Sequence, residues 1–207
     1  MKKNKNALIV FAKAPVAGTA KTRLIPRLGA QGAAELHQKL VLHTLNNLVN
    51  PQHWDTILWC AGDRQHDFFQ HCLASFDLVL DFQQGENLGD RMFHAIASSL
   101  SVYSSVCLVG TDCPVLTRCT IIEAFESLEA SDMVFNPAED GGYVLLAAKL
   151  IDRRVFENIR WGTGEVMQKS LENVKKTGYQ VSLLSTLWDV DVPDDLFRLE
   201  MLNPDIA

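Results

Sequence analysis

Four stretches of this chain carry side chains that could act together on a phosphorylated ligand. The first runs from Lys13 to Arg23 and places Lys13, Lys21 and Arg23 within eleven residues. Gly18 lies among them, and a glycine lets backbone approach a ligand closely. Backbone amides in such a loop, with lysine and arginine beside them, suit phosphate. The loop is neither a Walker A sequence nor a G-x-G-x-x-G fingerprint, and a solvated surface loop has a similar composition.

The second is Thr111-Asp112-Cys113. It follows the apolar run Val106 to Val109, which predicts a buried strand. Ligands of open α/β sheets bind at the carboxyl ends of the strands. A carboxylate there is placed to hold a hard divalent cation, which takes oxygen ligands and often shares them with phosphate. An Asp that caps a turn before Pro114 is the plainer alternative. The third stretch, Pro137 to Tyr143, has Glu139 and Asp140 followed by Gly141 and Gly142. Either acid could meet a substrate hydroxyl or act as general base. The two glycines and Tyr143 would leave room for a substrate, though Asp-Gly also makes an ordinary turn.

In the fourth stretch, Trp188 to Leu196, Asp189 and Asp191 alternate with Val190 and Val192. In extended backbone both carboxylates face one side. They repel unless solvent screens them or a cation sits between them, and a cation shared with Asp112 would do so. Asp194 and Asp195 follow Pro193 and suit the start of a helix. Two weaker features complete the set. Trp161 could stack on a sugar or base or simply pack, and Arg91 could reach a phosphate or begin a helix.

Apolar strands must alternate with helices to position these groups. Strands are expected at 7–12, 56–60, 78–82, 106–109, 133–135, 143–148 and 181–184. Helices are expected at about 30–48, 64–74, 88–100, 117–128 and 163–176, with a short last helix after Asp195. This alternation predicts an α/β protein with a mainly parallel central sheet and helices on both faces. With 207 residues and no repeat or linker, one domain is expected.

A net charge of -6 argues against nucleic acid and anionic membrane as partners. No apolar run approaches the length of a membrane span, and a cytoplasmic protein is expected. The five cysteines are odd in number and lack a C-x-x-C, so no disulfide framework or zinc site is indicated. Cys60 and Cys107 read as buried thiols, and Cys113, beside Asp112, either takes a direct part in the site or is a small packing residue.

Taken in order, Phe11-Ala-Lys-Ala-Pro15, Lys21-Thr-Arg-Leu24, Asn87-Leu-Gly-Asp-Arg-Met92, Gly110-Thr-Asp-Cys-Pro114, Pro137 to Tyr143, Trp161 and Asp189 to Leu196 resemble a bacterial family of GT-A-fold proteins. That family is described as glycosyltransferases, with some members assigned to arsenosugar biosynthesis. The resemblance spans nearly the whole chain and implies a Rossmann-like, nucleotide-diphospho-sugar transferase fold. It places Asp112 at the metal position. The chain reads Thr-Asp-Cys where such transferases commonly have Asp-x-Asp, so Asp189 or Asp191 must complete the site.

The implied activity is transfer of a sugar from a nucleotide-sugar donor to a small-molecule acceptor with Mg²⁺ or Mn²⁺. Pro15 with Lys21-Thr-Arg-Leu24, and the Asp189 to Leu196 tail, also resemble nucleotidyltransferases that load a nucleotide from a triphosphate onto phospholactate or a molybdenum cofactor. Those enzymes share the fold. A non-catalytic nucleotide- or sugar-binding module is the third reading.

Overall fold

The computed structural model describes residues 4–63 and 65–206. It contains seven strands: β1 (Asn6–Lys13), β2 (Asp55–Ala61), β3 (Val79–Phe82), β4 (Ser105–Val109), β5 (Met133–Pro137), β6 (Tyr143–Ala148) and β7 (Val181–Leu183). Its six helices are α1 (Ile25–Leu48), α2 (Asp67–Ser75), α3 (Leu88–Leu100), α4 (Arg118–Ser127), α5 (Val166–Thr177) and α6 (Asp195–Leu202). The strands form one sheet in the order β3-β2-β1-β4-β6-β5-β7. Only β6 runs antiparallel to its neighbours. No helix among the described residues is long and apolar enough to cross a membrane.

Strand periodicity divides the core into two layers. In β1, Leu8, Val10 and Ala12 enter one cluster with residues of α1, α2 and α4. Ala7 and Ile9 point the other way and join residues of α3 and α5. The remaining strands are divided likewise, as in β2, where Leu58 and Cys60 oppose Ile57 and Trp59. Both faces of the inner strands are thus buried, which is why they read as unbroken apolar runs rather than as alternating ones. A smaller cluster joins Leu24, Leu36 and Leu40 of the first third of the chain to Val190, Leu199 and Ile206 of the last.

The boundaries differ from expectation in instructive places. Helix α1 begins at Ile25, five residues before position 30, because a first turn is joined to the main helix across Gly29. That glycine has a non-helical backbone (φ 73°, ψ 166°), and Pro26 lies in the first turn, where its missing N–H costs nothing. Helix α5 starts at Val166, after the glycine-containing turn that holds Trp161. Arg64, expected to open a helix, lies outside the described residues, and α2 begins at Asp67 with the His66 side chain as N-cap.

Candidate functional site

The site follows from the sheet order. Strands β2 and β4 lie on opposite sides of β1 and both run parallel to it. Chain order therefore reverses between β1 and β4, and a crevice opens outside their carboxyl ends. The Lys13–Arg23 loop leaves β1 at that edge, and Gly110-Thr111-Asp112 leaves β4 beside it. The antiparallel β6 starts at the same edge, so the turn of residues 138–142 comes there too. The segment after β7 is tied to these turns by backbone hydrogen bonds. The amide of Leu187 donates to Pro137 O (3.0 Å), that of Glu139 to Leu187 O (2.9 Å) and that of Val190 to Asp112 O (2.8 Å).

A cleft of about 560 Å³ results, within the size range of small-molecule sites. Among its lining residues are Lys13, Arg23, Arg91, Asp112, Asp140, Gly142, Tyr143, Trp161, Asp189 and Asp191. Val190 between the two last acids is fully buried. Asp189 and Asp191 thus both turn toward the cleft, as their alternation predicts.

The cations and acids are already paired. Lys21 has a left-handed backbone (φ 48°, ψ 45°), and its side chain is 5% exposed. Its ammonium lies 2.8 Å from Asp112 Oδ1 and donates to Val190 O. The contact with Oδ1 is an ion pair without hydrogen-bond alignment, since that buried oxygen has no aligned donor. Arg23 pairs with Asp191 and reaches Gly162 O at 3.5 Å. Lys13 Nζ donates to Thr19 O at 2.9 Å, which closes its own loop.

Asp189 is the most perturbed acid of the cleft. Burial, then Asp140 and Asp112, raise its pKa to about 6, opposed in part by Lys21. The sign for stability is direct. Between about pH 4 and pH 6 the folded state holds this proton more tightly than the unfolded chain does. The ionised form is thus a penalty that grows as pH rises through that window. Asp189→Asn should raise stability at pH 7 by about 1–2 kcal/mol after allowance for solvent screening, and change little at pH 4. Thermal melts at both pH values check this. Equal shifts at the two would count against it.

The acids of the cleft offer oxygen donors, the kind a hard divalent cation takes. Asp112, Asp140, Asp189 and Asp191 line one cleft as hard oxygen donors, and Asp189 carries the mutual repulsion that a cation would relieve. Among the described residues no group of three His, Cys, Asp or Glu already converges at ligand spacing.

Other expected roles are redistributed. Glu139 is not in the cleft wall. It forms a bidentate pair with Arg198 of α6 (2.7 and 2.9 Å), and the guanidinium holds its carboxyl below the usual range. Of the pair, Asp140 faces the cleft, while the Glu139 carboxylate is engaged by Arg198. Gly18 supplies a positive-φ turn (φ 81°) with open space around it, and is absent from the lining. Gly141 also stands outside the lining, because it packs on Gly164, where a Cβ would come within 2.2 Å of that carbonyl. Arg91 lines the cleft, with its Nε on Gly85 O (3.2 Å). Trp161 both lines the cleft and packs, lying over Gly89 and near Phe156. Cys113 is buried, and burial pushes its thiol up to about 12, which makes it a packing residue at neutral pH.

Three contributors carried little signal in the chain. His37 lines the cleft and its Nε2 meets Lys13 O at 2.9 Å. It was visible only as a polar residue within the apolar stripe of α1. Gln83 donates its amide to Trp59 O (2.9 Å) and Ala12 O (3.4 Å), and nothing in its sequence neighbourhood sets it apart. Arg198, stacked on Trp188 at 4.4 Å, had no distinguishing context.

The sheet order is that of a Rossmann-like α/β protein, and the fold matches that of a solved protein described as a nucleotide-diphospho-sugar transferase. The chain belongs to the DUF2064 family, described as uncharacterized proteins conserved in bacteria, which its residues 44–163 match. No curated protein matches its sequence significantly. Among solved structures, a protein from Desulfovibrio desulfuricans G20 provisionally described as a nucleotide-diphospho-sugar transferase is 29% identical, with a TM-score of 0.86 over 97% of this chain and 90% of that one. The 4-diphosphocytidyl-2C-methyl-D-erythritol synthase of Anaerococcus prevotii DSM 20548 shares 10% identity and a TM-score of 0.63, over 95% and 97% of the two chains. A manganese complex of Rv0371C from Mycobacterium tuberculosis H37Rv shares 19% identity and a TM-score of 0.52, over 94% and 97%. At such identities the last two show the fold alone.

Proposed function

We propose that this protein is a metal-dependent glycosyltransferase that takes a nucleotide-diphospho-sugar donor and a small hydroxylated acceptor. The observation that carries the reading is the meeting, at one sheet edge, of a cationic loop with two carboxylates, Asp112 and Asp189, from segments far apart in the chain. Lys13 and Arg23 face the diphosphate, Lys21 stays behind the cleft wall holding Asp112, and Arg91 lies farther along the cleft. Asp112 and Asp189, with Asp191 beside them, hold Mg²⁺ or Mn²⁺. When bound, the cation stabilises the negative charge of the departing nucleoside diphosphate. Tyr143, Gly142 and Trp161 form the wall against which the sugar sits. Asp140 orients the acceptor hydroxyl and takes its proton. One of its oxygens accepts from the Gly142 amide at 2.8 Å, which leaves the other for the substrate.

That same hydrogen bond favours a second reading, nucleotidyl transfer from a nucleoside triphosphate to a phosphorylated acceptor. An Asp140 that serves chiefly to hold its turn fits an acceptor whose own phosphate oxygen attacks and needs no base. The assay that separates the two supplies nucleotide sugars or triphosphates with Mn²⁺ to wild type and Asp140→Asn. Glycosyl transfer predicts release of nucleoside diphosphate and a drop in kcat of about 10²–10³ in the variant. Pyrophosphate release from a triphosphate, unchanged in the variant, would establish the second reading instead. Nucleotide binding with no turnover in wild type would leave a binding module.

A further inference from the structure

Helix α6 is apolar on two sides, and the fold uses one of them. Leu199 is fully buried and joins Leu24, Leu36, Leu40 and Val190, with Leu196 packed beside it. On the opposite side stand Phe197 and Met201, four residues apart and so on one stripe of the helix. They are 71% and 74% exposed, the most of any large hydrophobic among the described residues. A surface helix ordinarily presents polar side chains to water. A contiguous apolar ridge in their place marks an interaction site.

Beside the ridge lies a groove of about 450 Å³ between α1 and α6, with Leu28, Gly32, Leu36, Leu196 and Ile206 along it. Leu196 and Glu200 of α6 line this groove. Phe197 and Met201 each follow one of them by a single position, a rotation of about 100°. Ridge and groove are therefore neighbours on one surface. Their charges are complementary as well. Asp194, Glu200 and Asp205 flank the ridge and make no ion pair among the described residues. Arg27, on the α1 wall of the groove, is exposed and makes none either. Lys39 stands on the same wall, where the one acid, Glu35, accepts from the Gln31 amide at 2.9 Å.

We propose that this surface docks a second copy of the chain about a two-fold axis beside α6, the Phe197–Met201 ridge of each copy lying in the groove of the other. A two-fold contact requires a self-complementary patch and closes at two subunits. An apolar ridge and an apolar groove side by side meet that requirement, and the acids of each ridge then approach Arg27 and Lys39 of the other copy. One second copy covers ridge and groove together. The dimer does not depend on the transferase reading. It does bear on the cleft, because Arg198 of the same helix holds Glu139 and stacks on Trp188. The docked helix thus also braces the segments that carry Asp140 and Asp189.

Sedimentation velocity on the full chain, from about 1 to 300 µM, tests the proposal with wild type, Phe197→Ser, Gly32→Gln and Arg27→Glu. Phe197→Ser removes the ridge without touching the core. Gly32→Gln fills the groove from the other side. A Cβ there meets only the Leu28 side chain, at 3.3 Å, and glutamine suits a helix better than glycine. Both variants should melt no lower than wild type at the lowest concentration, where all are monomers. Wild type should dimerise with a Kd of about 10 µM or tighter, within reach of a small interface. Phe197→Ser and Gly32→Gln should each weaken the dimer by at least about 100-fold, as loss of a central anchor does. Arg27→Glu should weaken it about 10-fold, with a matching loss of salt dependence. Wild type that stays monomeric to the highest concentration overturns the inference and leaves the ridge to a different partner. A dimer that survives either Phe197→Ser or Gly32→Gln overturns it too, because ridge and groove would not then be each other's cover.

Discussion

Asp112→Asn should weaken binding of a metal-bound nucleotide by at least about 100-fold, roughly 2.8 kcal/mol. The substitution keeps the shape of the side chain and removes its charge. Asp112 is the acid that follows the central strand, and its side chain is 47% exposed although one oxygen is buried on Lys21. The other oxygen is therefore the one presented to the cleft. The change also strands a buried ammonium, which retains only Val190 O. Breaking one side of a buried pair costs several kcal/mol, less here because Asp112 is half exposed. A fall in melting temperature thus accompanies the loss of binding, and the two effects must be separated. The double variant Lys21→Met with Asp112→Asn removes the stranded charge. It should regain most of the melting temperature and none of the binding. Titration calorimetry with Mn²⁺ and nucleoside diphosphate reads the affinity, and a loss of less than about threefold would remove Asp112 from the site.

Gly141→Ala should disrupt the turn that carries Asp140, although Gly141 itself stands behind the cleft lining. Its φ of 85° disfavours an L side chain, and the new Cβ would meet Gly164 O at 2.2 Å. The carbonyl belongs to backbone and the Cβ is fixed to it directly, so neither can turn aside. The Gly141 carbonyl also accepts from the Met167 amide at 2.9 Å, so the turn cannot shift without disturbing the start of α5. Strain and clash together should cost about 3 kcal/mol, or about 6–12 °C in melting temperature for a chain of this size. The turn carries Asp140 and its partner loop carries Trp161, so ligand affinity should fall with stability. Gly164→Ala is the matched control, because its Cβ would meet only Asp140 O, at 3.2 Å. A smaller shift for Gly141→Ala than for Gly164→Ala would mean that the two loops are not locked as described.

Much of the architecture was legible because it rests on local patterns. The apolar runs at 7–12 and 106–109 marked the inner strands, and the helical spacing of Leu36, Leu40 and Leu45 marked α1. The reversed direction of β6 was not legible. Residues 143–148 are apolar on both faces in either direction, so periodicity says nothing of polarity. At the site, the acids and cations could be named from their spacing, since strand ends and loops are set by short-range signals. Their pairing could not. Lys21 meets Asp112, and Arg23 meets Asp191 across 168 positions, and no local rule selects those partners. Glu139 and Asp140 show the same limit. They are adjacent and chemically alike, and only the placement of α6 decides that one is held by Arg198 while the other faces the cleft.

The separation between those partners also sets when the site can exist. The bond from Lys21 to Val190 joins residues 169 apart, and Leu24 shares its apolar cluster with Val190, Leu199 and Ile206. During synthesis at roughly 5–20 residues per second, the loop that follows β1 would wait on the order of ten to thirty seconds for the segment that completes it. Until then its lysine and arginine have no carboxylates from the far segment, and the apolar stripe beginning at Leu24 has no cover. The sheet can close around β1, β2 and β4 before this happens. The cleft is thus among the last parts of the molecule to form, and a nascent chain interrupted before Asp189 would carry the fold without the means to use it.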